Sequence, residues 1–563
     1  VVAFGEEGGQ PQIPGPLVRV AVGTTIRVRV RNTLPDTLYF HGLAGPGAAD
    51  SLIIPPGATA VTELRTARLG NGFYWATSSA TDPMSRFARR KEATLSGALV
   101  VDSPGPVPND RILVISSHLD TVSATGEALR DERNSRVRLF LGMNGLSWPH
   151  TERLHYAMGD SVRWRVINAS SAPHPMHLHG FYFRVDAHGD AARDTIYDET
   201  ARRMVVTELL LPGETMSMTW SPNRPGGWLF HCHITHHMSP HAPVDDRSVF
   251  HAVADHHAAS GGAMAHAMGG MVMAVDVSGR LPARRAEPVA QRLELVVRSD
   301  SDATSPWRRY GYVAGSAAQA TTQTPPTGPV LVMRRGVSTA VTVVNEMSVP
   351  SAVHWHGIEL ESYFDGVAGV GGDSARRTPM IAPGERFEAR MTPPRAGTFM
   401  YHTHVDEMAQ QAGGLVGAII VLEPGVVFDP VHDLPLLVSD RPDGRAVRLN
   451  GRDAPAPLQL RVGERYRLRL INIAVERAAT SFRLMRDSVP VTWRPIAKDG
   501  FDLPPGRAHA GPAIHRLASG ETVDVEFIPD AVGDLTLQFI EVLPRQGGRP
   551  GTEVLMRVPV RIR

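Results

Sequence analysis

The sequence predicts an all-β chain of four tandem sandwiches. Three observations predict it: a fourfold internal repeat, alternation of apolar and polar residues within each copy, and an abundance of turn formers, 53 Gly and 45 Pro in 563 residues. The repeat is a Gly, two mostly polar residues, then alternating apolar positions that end at an Asn nine residues after the Gly. It reads GTTIRVRVRN from Gly23 to Asn32, GDSVRWRVIN from Gly159 to Asn168, GVSTAVTVVN from Gly336 to Asn345 and GERYRLRLIN from Gly463 to Asn472. Alternation such as Ile26, Val28 and Val30 describes a strand with one face on a core. A turn follows each copy, at Pro56-Gly57, Pro212-Gly213, Pro383-Gly384 and Ser519-Gly520. A Gly opening a further strand comes next, at Gly72, Gly227, Gly397 and Gly533. Four such copies imply four small antiparallel Greek-key sandwiches, spanning 1–104, 105–283, 284–428 and 429–563. The second is the longest. Its excess lies between about Ser239 and Met268 and is rich in His, Met, Ala and Gly.

Composition removes several function classes. Lys+Arg number 58 and Asp+Glu 57, a net charge of +1, which argues against a large basic surface for nucleic acid. No apolar run approaches the roughly 20 residues that span a bilayer. A single cysteine excludes an intrachain disulfide framework. The sequence opens at Val1 without a basic-then-apolar leader, so a signal peptide is expected to be absent or already removed. Only Lys91 and Lys498 are lysines, which reads as codon bias and not as function. The unusual counts are 24 His and 20 Met beside one Cys.

Residues i and i+2 of a strand share a face, so His-x-His on a strand presents two imidazoles as a clip for a metal. Roughly one such pair is expected by chance. Four occur: His177/His179, His231/His233, His354/His356 and His402/His404. In the second and third copies the first pair lies nine and eleven residues after the landmark Asn, and the second pair eighteen and twenty after the Gly of the turn. The first and fourth copies keep the fold signals without the ligands. The fourth has Ser481 and Arg483, then Gln538 and Ile540, at these positions. The first has His41, ambiguous in register by two residues, and Ala76-Thr77-Ser78 where the third has His402-Thr403-His404. Neither is expected to bind catalytic copper.

The lone Cys232 lies between His231 and His233, its sulfur on the opposite face of the strand. One strand can then serve one metal through Cys232 and others through its neighbours. His174 and His237 could complete a His₂Cys set, which with a weak axial Met describes a blue-copper electron-transfer site. A closed structural zinc site usually takes four ligands and several cysteines, unlike this one.

At this point the residues resemble a known family. HPMHLHG and HCHITHHM in the second copy, with HWHG and YHTH in the third, look like the four copper signatures of the multicopper oxidases, the laccase-like enzymes. The resemblance implies cupredoxin-like domains throughout, with the motifs confined to the two central ones. It implies four coppers. His174, Cys232 and His237 would hold a type 1 copper, and His177 and His354 a type 2 copper. His179, His231, His233, His356, His402 and His404 would hold a type 3 pair. Asp365, in YFDG, matches the acidic residue that the family implies in proton delivery. The implied reaction couples one-electron oxidation of a small reducing substrate, phenolic or aromatic, to reduction of O₂ to water. Electrons would enter at Cys232 and pass to His231 and His233.

The chain departs from the family in three ways. HWHG and YHTH usually precede HCH, and here they follow it. The trinuclear site is expected within one chain, with a site shared between chains of an oligomer as the alternative. The family's axial position, ten residues after the Cys, falls on Ala242. Matching the displaced strand GGMVMAV puts Met271 there, with Met238 or no ligand as alternatives. The insertion carries His241, His251, His256, His257, Met264, His266 and Met268, and is read as a flexible Gly/Ala-rich loop ahead of a cuprous-ion site or lid. Rival readings are a metal-ion oxidase for Cu(I), Mn(II) or Fe(II), a copper nitrite reductase, which His233 speaks against, and a copper carrier. Copper use suggests an exported bacterial protein, periplasmic or secreted.

Overall fold

The computed structural model describes residues 2–43, 52–78, 94–120, 138–190, 194–238, 268–281, 288–300, 309–315, 324–441, 444, 446–546 and 549–563. Lys91, Ala242 and the whole insertion except Met268 lie outside the described residues. Among the described residues the regular secondary structure is almost entirely strand. Its sheets follow the repeat, each built from one contiguous stretch of sequence.

In the second stretch one sheet orders Leu154–Ala157, Val272–Ser278, Gly226–Cys232, His174–Leu178 and Thr207–Leu210, and the facing sheet centres on Val162–Asn168 and Glu214–Trp220. Trp164, Trp228, Phe183 and Phe230 fill the space between them. The third and fourth stretches pair sheets in the same way around their own cores. The first is thinner. Its second layer is a two-stranded ribbon, Thr25–Arg31 against Thr59–Arg65, whose residues alternate between exposed and half-buried.

The sheets are mixed and not wholly antiparallel, contrary to the sequence reading. Val162–Asn168 runs parallel to Arg111–Asp120, Thr339–Asn345 to Gln291–Asp300, and Tyr466–Asn472 to Asp433–Asp440. In the second stretch the chain visits the opposite sheet, at Leu154–Ala157, before returning as the repeat strand, so the two neighbours keep one direction. The strands expected to open at Gly72 and Gly227 begin instead at Gly70 and Gly226.

The repeat has a local cause. Each landmark Asn is buried, and its carbonyl accepts from the Gly of the following turn: Gly57 N to Asn32 O at 2.9 Å, and Gly213 N, Gly384 N and Gly520 N to Asn168 O, Asn345 O and Asn472 O at 2.8 Å. Each Asn Oδ1 also accepts the amide two residues on, closing an Asx turn. Asn345 Nδ2 donates to Val349 O and Ile381 O, both at 2.9 Å, tying the strand end to the far side of the sandwich. The Asn and turn landmarks are thus two ends of one hydrogen-bonded corner.

Among the described residues no helix is long and apolar enough to cross a membrane, which says nothing of a strand-built barrel.

Asn345→Ala leaves the Val349 carbonyl and the Met347 amide without a partner, while Ile381 O keeps Ser351 N, and is expected to destabilise the third sandwich by about 1–3 kcal/mol. Calorimetric melting of the variant against the parent measures this. An unchanged profile would mean that the corner carries no such share.

Candidate metal centre

Two pockets lie at the carboxyl end of the strand Gly226–Cys232, on either side of it. On one side Cys232 meets His174 and His237. His174 starts the neighbouring strand His174–Leu178, and His237 lies on a single turn, Thr235–Met238, directly after Cys232. Cys232 Sγ is 3.6 Å from His174 Nδ1 and 3.3 Å from His237 Nδ1, and the two nitrogens are 3.2 Å apart. A point equidistant from these three atoms lies about 2 Å from each, the length of a metal–nitrogen bond. His174 can present Nδ1 because its other nitrogen is engaged: Ser170 Oγ is 2.7 Å from Nε2 and itself donates to the landmark Asn168 Oδ1 at 2.8 Å. Ser170 therefore accepts the Nε2 proton and leaves Nδ1 bare. Burial holds the Cys232 thiol up at about 12 and pushes His174 down to about 3 in the metal-free chain.

The axial candidates separate. Met271 is fully buried in the same apolar cluster as Cys232, and its carbonyl accepts the Cys232 amide at 3.1 Å. Met238 packs in a different cluster with Trp148, Leu229 and Val272.

On the other side eight imidazoles, all buried, converge between the second and third sandwiches of one chain. Register delivers them. His177 stands opposite His231 in one sheet, and His354 opposite His402 in the other. His177 Nε2 and His354 Nε2 approach to 3.4 Å, with each Nδ1 donating to a backbone carbonyl, Val206 O and Asp365 O, at 2.8 Å. Two triads flank this pair. His179, His231 and His404 have ring centres 4.9, 5.2 and 5.4 Å apart, and His233, His356 and His402 have theirs 4.9, 5.1 and 5.7 Å apart.

One nitrogen of each triad imidazole faces a protein group. His179 Nδ1 meets Asp365 Oδ2 at 2.7 Å, His231 Nδ1 meets Cys232 O at 2.8 Å, and His404 Nδ1 lies 3.2 Å from Glu407 Oε1 without a hydrogen bond between them. His402 Nδ1 meets Thr403 O at 2.7 Å, His233 Nδ1 meets Ser519 Oγ at 3.2 Å, and His356 Nε2 meets Thr207 Oγ1 at 3.3 Å. The opposite atoms, His233 Nε2, His356 Nδ1, His402 Nε2 and His404 Nε2, are buried with no hydrogen-bond partner, as is His404 Nδ1. Orphaned buried nitrogens converging in sets are what an imidazole-bound metal requires. Burial, then neighbouring imidazoles, push His177, His179, His233, His356 and His404 well below the usual imidazole range; burial is also the main cause for His231, at about 4, and His402, at about 3. The rings are therefore neutral and able to ligate at neutral pH. Burial also raises Glu407 to about 8.

Asp365 touches His179 through its side chain and His354 through its carbonyl. Gly366 lets this turn close. At its φ of +88° an added Cβ would fall 1.8 Å from Val353 O. The register settles the ambiguity at His41: it occupies the place of His177 and His354, and Trp75, not Ala76, occupies that of His231 and His402. His41 stands opposite Trp75 and stacks on that ring at 5.0 Å, while Phe40 faces Ala76. In the fourth sandwich the register sets Arg483 opposite Gln538, so Arg483 and not Ser481 occupies the place of His177 and His354. Sequence reasoning missed Ser170, Thr207, Glu407 and Ser519. Of these only Ser519 left a visible sign, as the one landmark turn without Pro.

Two family models described as multicopper oxidase match the chain, one over residues 120–242 and the other over residues 9–106 and 310–425, together more than half of it. A probable nitrite reductase-hydroxylamine oxidoreductase fusion protein of Kuenenia stuttgartiensis is 29% identical over 252 residues, covering 41% of this chain and 27% of that protein. Laccase-1 of Fomitopsis schrenkii is 30% identical over 257 residues, covering 40% of this chain and 44% of that protein. The chain thus spans less than half the length of these curated relatives. A solved multicopper oxidase is similar at 17% identity and a TM-score of 0.38, over 50% of this chain and 92% of that one. With the family's sequence pattern over most of its described length and its histidine sets gathered in two buried pockets, the chain belongs to the multicopper oxidase family.

Proposed function

We propose that the chain is a laccase-like oxidase that couples one-electron oxidation of phenolic or aromatic substrates to four-electron reduction of O₂. The observation that carries this reading is the pairing of a Cys232 pocket with an eight-imidazole pocket through a single strand. His174, Cys232, His237 and Met271 would hold the type 1 copper, His177 and His354 the type 2 copper, and the two triads one type 3 copper each. Copper bound there supplies one-electron exchange at the thiolate and multi-electron reduction of oxygen among the imidazoles.

The chain's own residues do the rest. Cys232 Sγ is joined through its own backbone to His231 and His233, one in each triad, so the two pockets share a covalent path with no intervening gap. Ser170, Asp365, Thr207 and Ser519 fix which nitrogen of each ring faces inward. Asp365, bonded to one triad and to the central pair, is placed to hold and pass protons at its Oδ2. A nitrite reductase reading has less support: it gives no use to His233, which turns directly into the eight-imidazole pocket. An exported setting, periplasmic or secreted, goes with the oxidase reading.

Copper-loaded protein offered a phenol is expected to take up oxygen, and Cys232→Ser to fall to the background rate. A separate trial with Cu(I) as donor distinguishes a metal-ion oxidase. If Cys232→Ser consumed oxygen as fast as the parent, the electron path would be wrong. Met271→Leu is expected to keep the blue colour and raise the reduction potential of that site; an unchanged potential would remove Met271 as axial ligand. Buried imidazoles held far below their unfolded value of about 6.5 bind fewer protons folded than unfolded. Their contribution is complete above pH 6.5 and is lost as pH falls toward 3 to 4, where His231, His402 and His174 titrate. The melting temperature of metal-free protein is therefore expected to fall steeply between pH 6.5 and 4, more than in a variant with His231 and His402 replaced by Gln.

A further inference from the structure

The fourth sandwich holds no metal-ligand set among the described residues, yet two of its turns close the eight-imidazole pocket. The first is the landmark turn Ser519-Gly520. In the first three copies this turn is Pro-Gly, and a Cβ built at Gly57 or Gly384 would meet open space. In the fourth it packs on the imidazoles. A Cβ at Gly520, whose φ is +84°, would stand 2.8 Å from His233 Cδ2 and 3.1 Å from His356 Cε1. Ser519, fully buried, has its hydroxyl 3.2 Å from His233 Nδ1 and donates to His233 O at 3.3 Å. With its proton given to that carbonyl, the hydroxyl accepts the Nδ1 proton, which leaves His233 Nε2 as the inward atom.

The second is the hairpin turn after Thr492–Lys498. Lys498 and Asp499 grip the peptide pair Val206-Thr207 at three backbone atoms. Asp499 Oδ2 accepts from Val206 N at 3.1 Å and Thr207 N at 3.2 Å, and Lys498 Nζ donates to Thr207 O at 3.2 Å. That pair carries the carbonyl that orients His177 and the hydroxyl that meets His356. Asp499 is buried in the left-handed region, at φ +49°, a conformation unfavourable for a non-Gly residue that persists only where its surroundings demand it. One of the chain's two lysines therefore has a specific place here, against the compositional reading.

Resting on the oxidase reading above, we propose that the fourth sandwich is the third wall of the trinuclear site, and that Ser519 and Gly520 are positioning residues for His233 and His356. The replacement of Pro by Ser in the fourth landmark turn is then a functional specialisation of a structural corner.

The test loads wild type, Ser519→Ala and Gly520→Ala with copper and titrates each with a chelator. Bound copper per chain and the electron paramagnetic resonance spectrum are read together with the blue absorption of the Cys232 site. Ser519→Ala is expected to keep its blue absorption and to hold the other coppers about 10- to 100-fold less tightly. Gly520→Ala is expected to retain the blue copper and lose the rest. Should Gly520→Ala fail to fold, Ser519→Ala alone decides. Ser519→Ala that fills at the parental chelator concentrations, with the parental resonance spectrum, overturns the inference while leaving the oxidase reading intact. A wild-type chain that fills only the blue site overturns the oxidase reading, and this inference with it.

Discussion

The structure depends on keeping eight imidazoles buried with one nitrogen of each turned toward its neighbours. A buried polar atom without a partner costs roughly 1–3 kcal/mol, so the arrangement is unfavourable in the bare chain and must be imposed from outside. The outward nitrogen supplies the means. In seven of the eight rings a backbone carbonyl, Asp365, Thr207 or Ser519 engages one ring atom. Those anchors lie on strands and corners whose own geometry is set by the sandwich cores. Removing an anchor frees a ring to turn its bare nitrogen away, which relieves the local cost and destroys the site. The rigidity of the surrounding sheets is thus a condition for metal binding, not a background to it.

Much of this was legible in the residues. Strand period and the repeat predict the sandwiches, because side-chain alternation and a hydrogen-bonded corner are local properties. The four His pairs and Cys232 were equally legible, since period two puts each pair on one face whatever the fold does elsewhere. Three kinds of feature were not. Direction of strand pairing depends on where the chain has travelled between strands, which is why the parallel neighbours of Val162–Asn168 and Tyr466–Asn472 were misjudged. Register within a pair is invisible until both strands are seen, hence the two-residue slip at Ser481 and the ambiguity at His41. Contacts between sandwiches, such as those of Lys498 with Thr207, join residues far apart in the chain that share no motif. Lys498 was dismissed for the same reason: rarity of a residue type says nothing of where one copy of it is placed.

The reversed order of the copper signatures follows from the symmetry of the pocket. The second and third sandwiches carry their His pairs at the same register, so His177, His179, His231 and His233 correspond to His354, His356, His402 and His404. Exchanging the two sets maps the central pair, His177 and His354, onto itself. It maps the triad of His179, His231 and His404 onto that of His356, His402 and His233. The eight-imidazole pocket therefore has an approximate twofold axis, and it is indifferent to which sandwich comes first. Among the strand residues themselves the paired histidines match and Cys232 does not, its counterpart being Thr403. That difference puts a thiol beside one half of the pocket and a hydroxyl beside the other, and chain order is free to vary so long as the two faces meet.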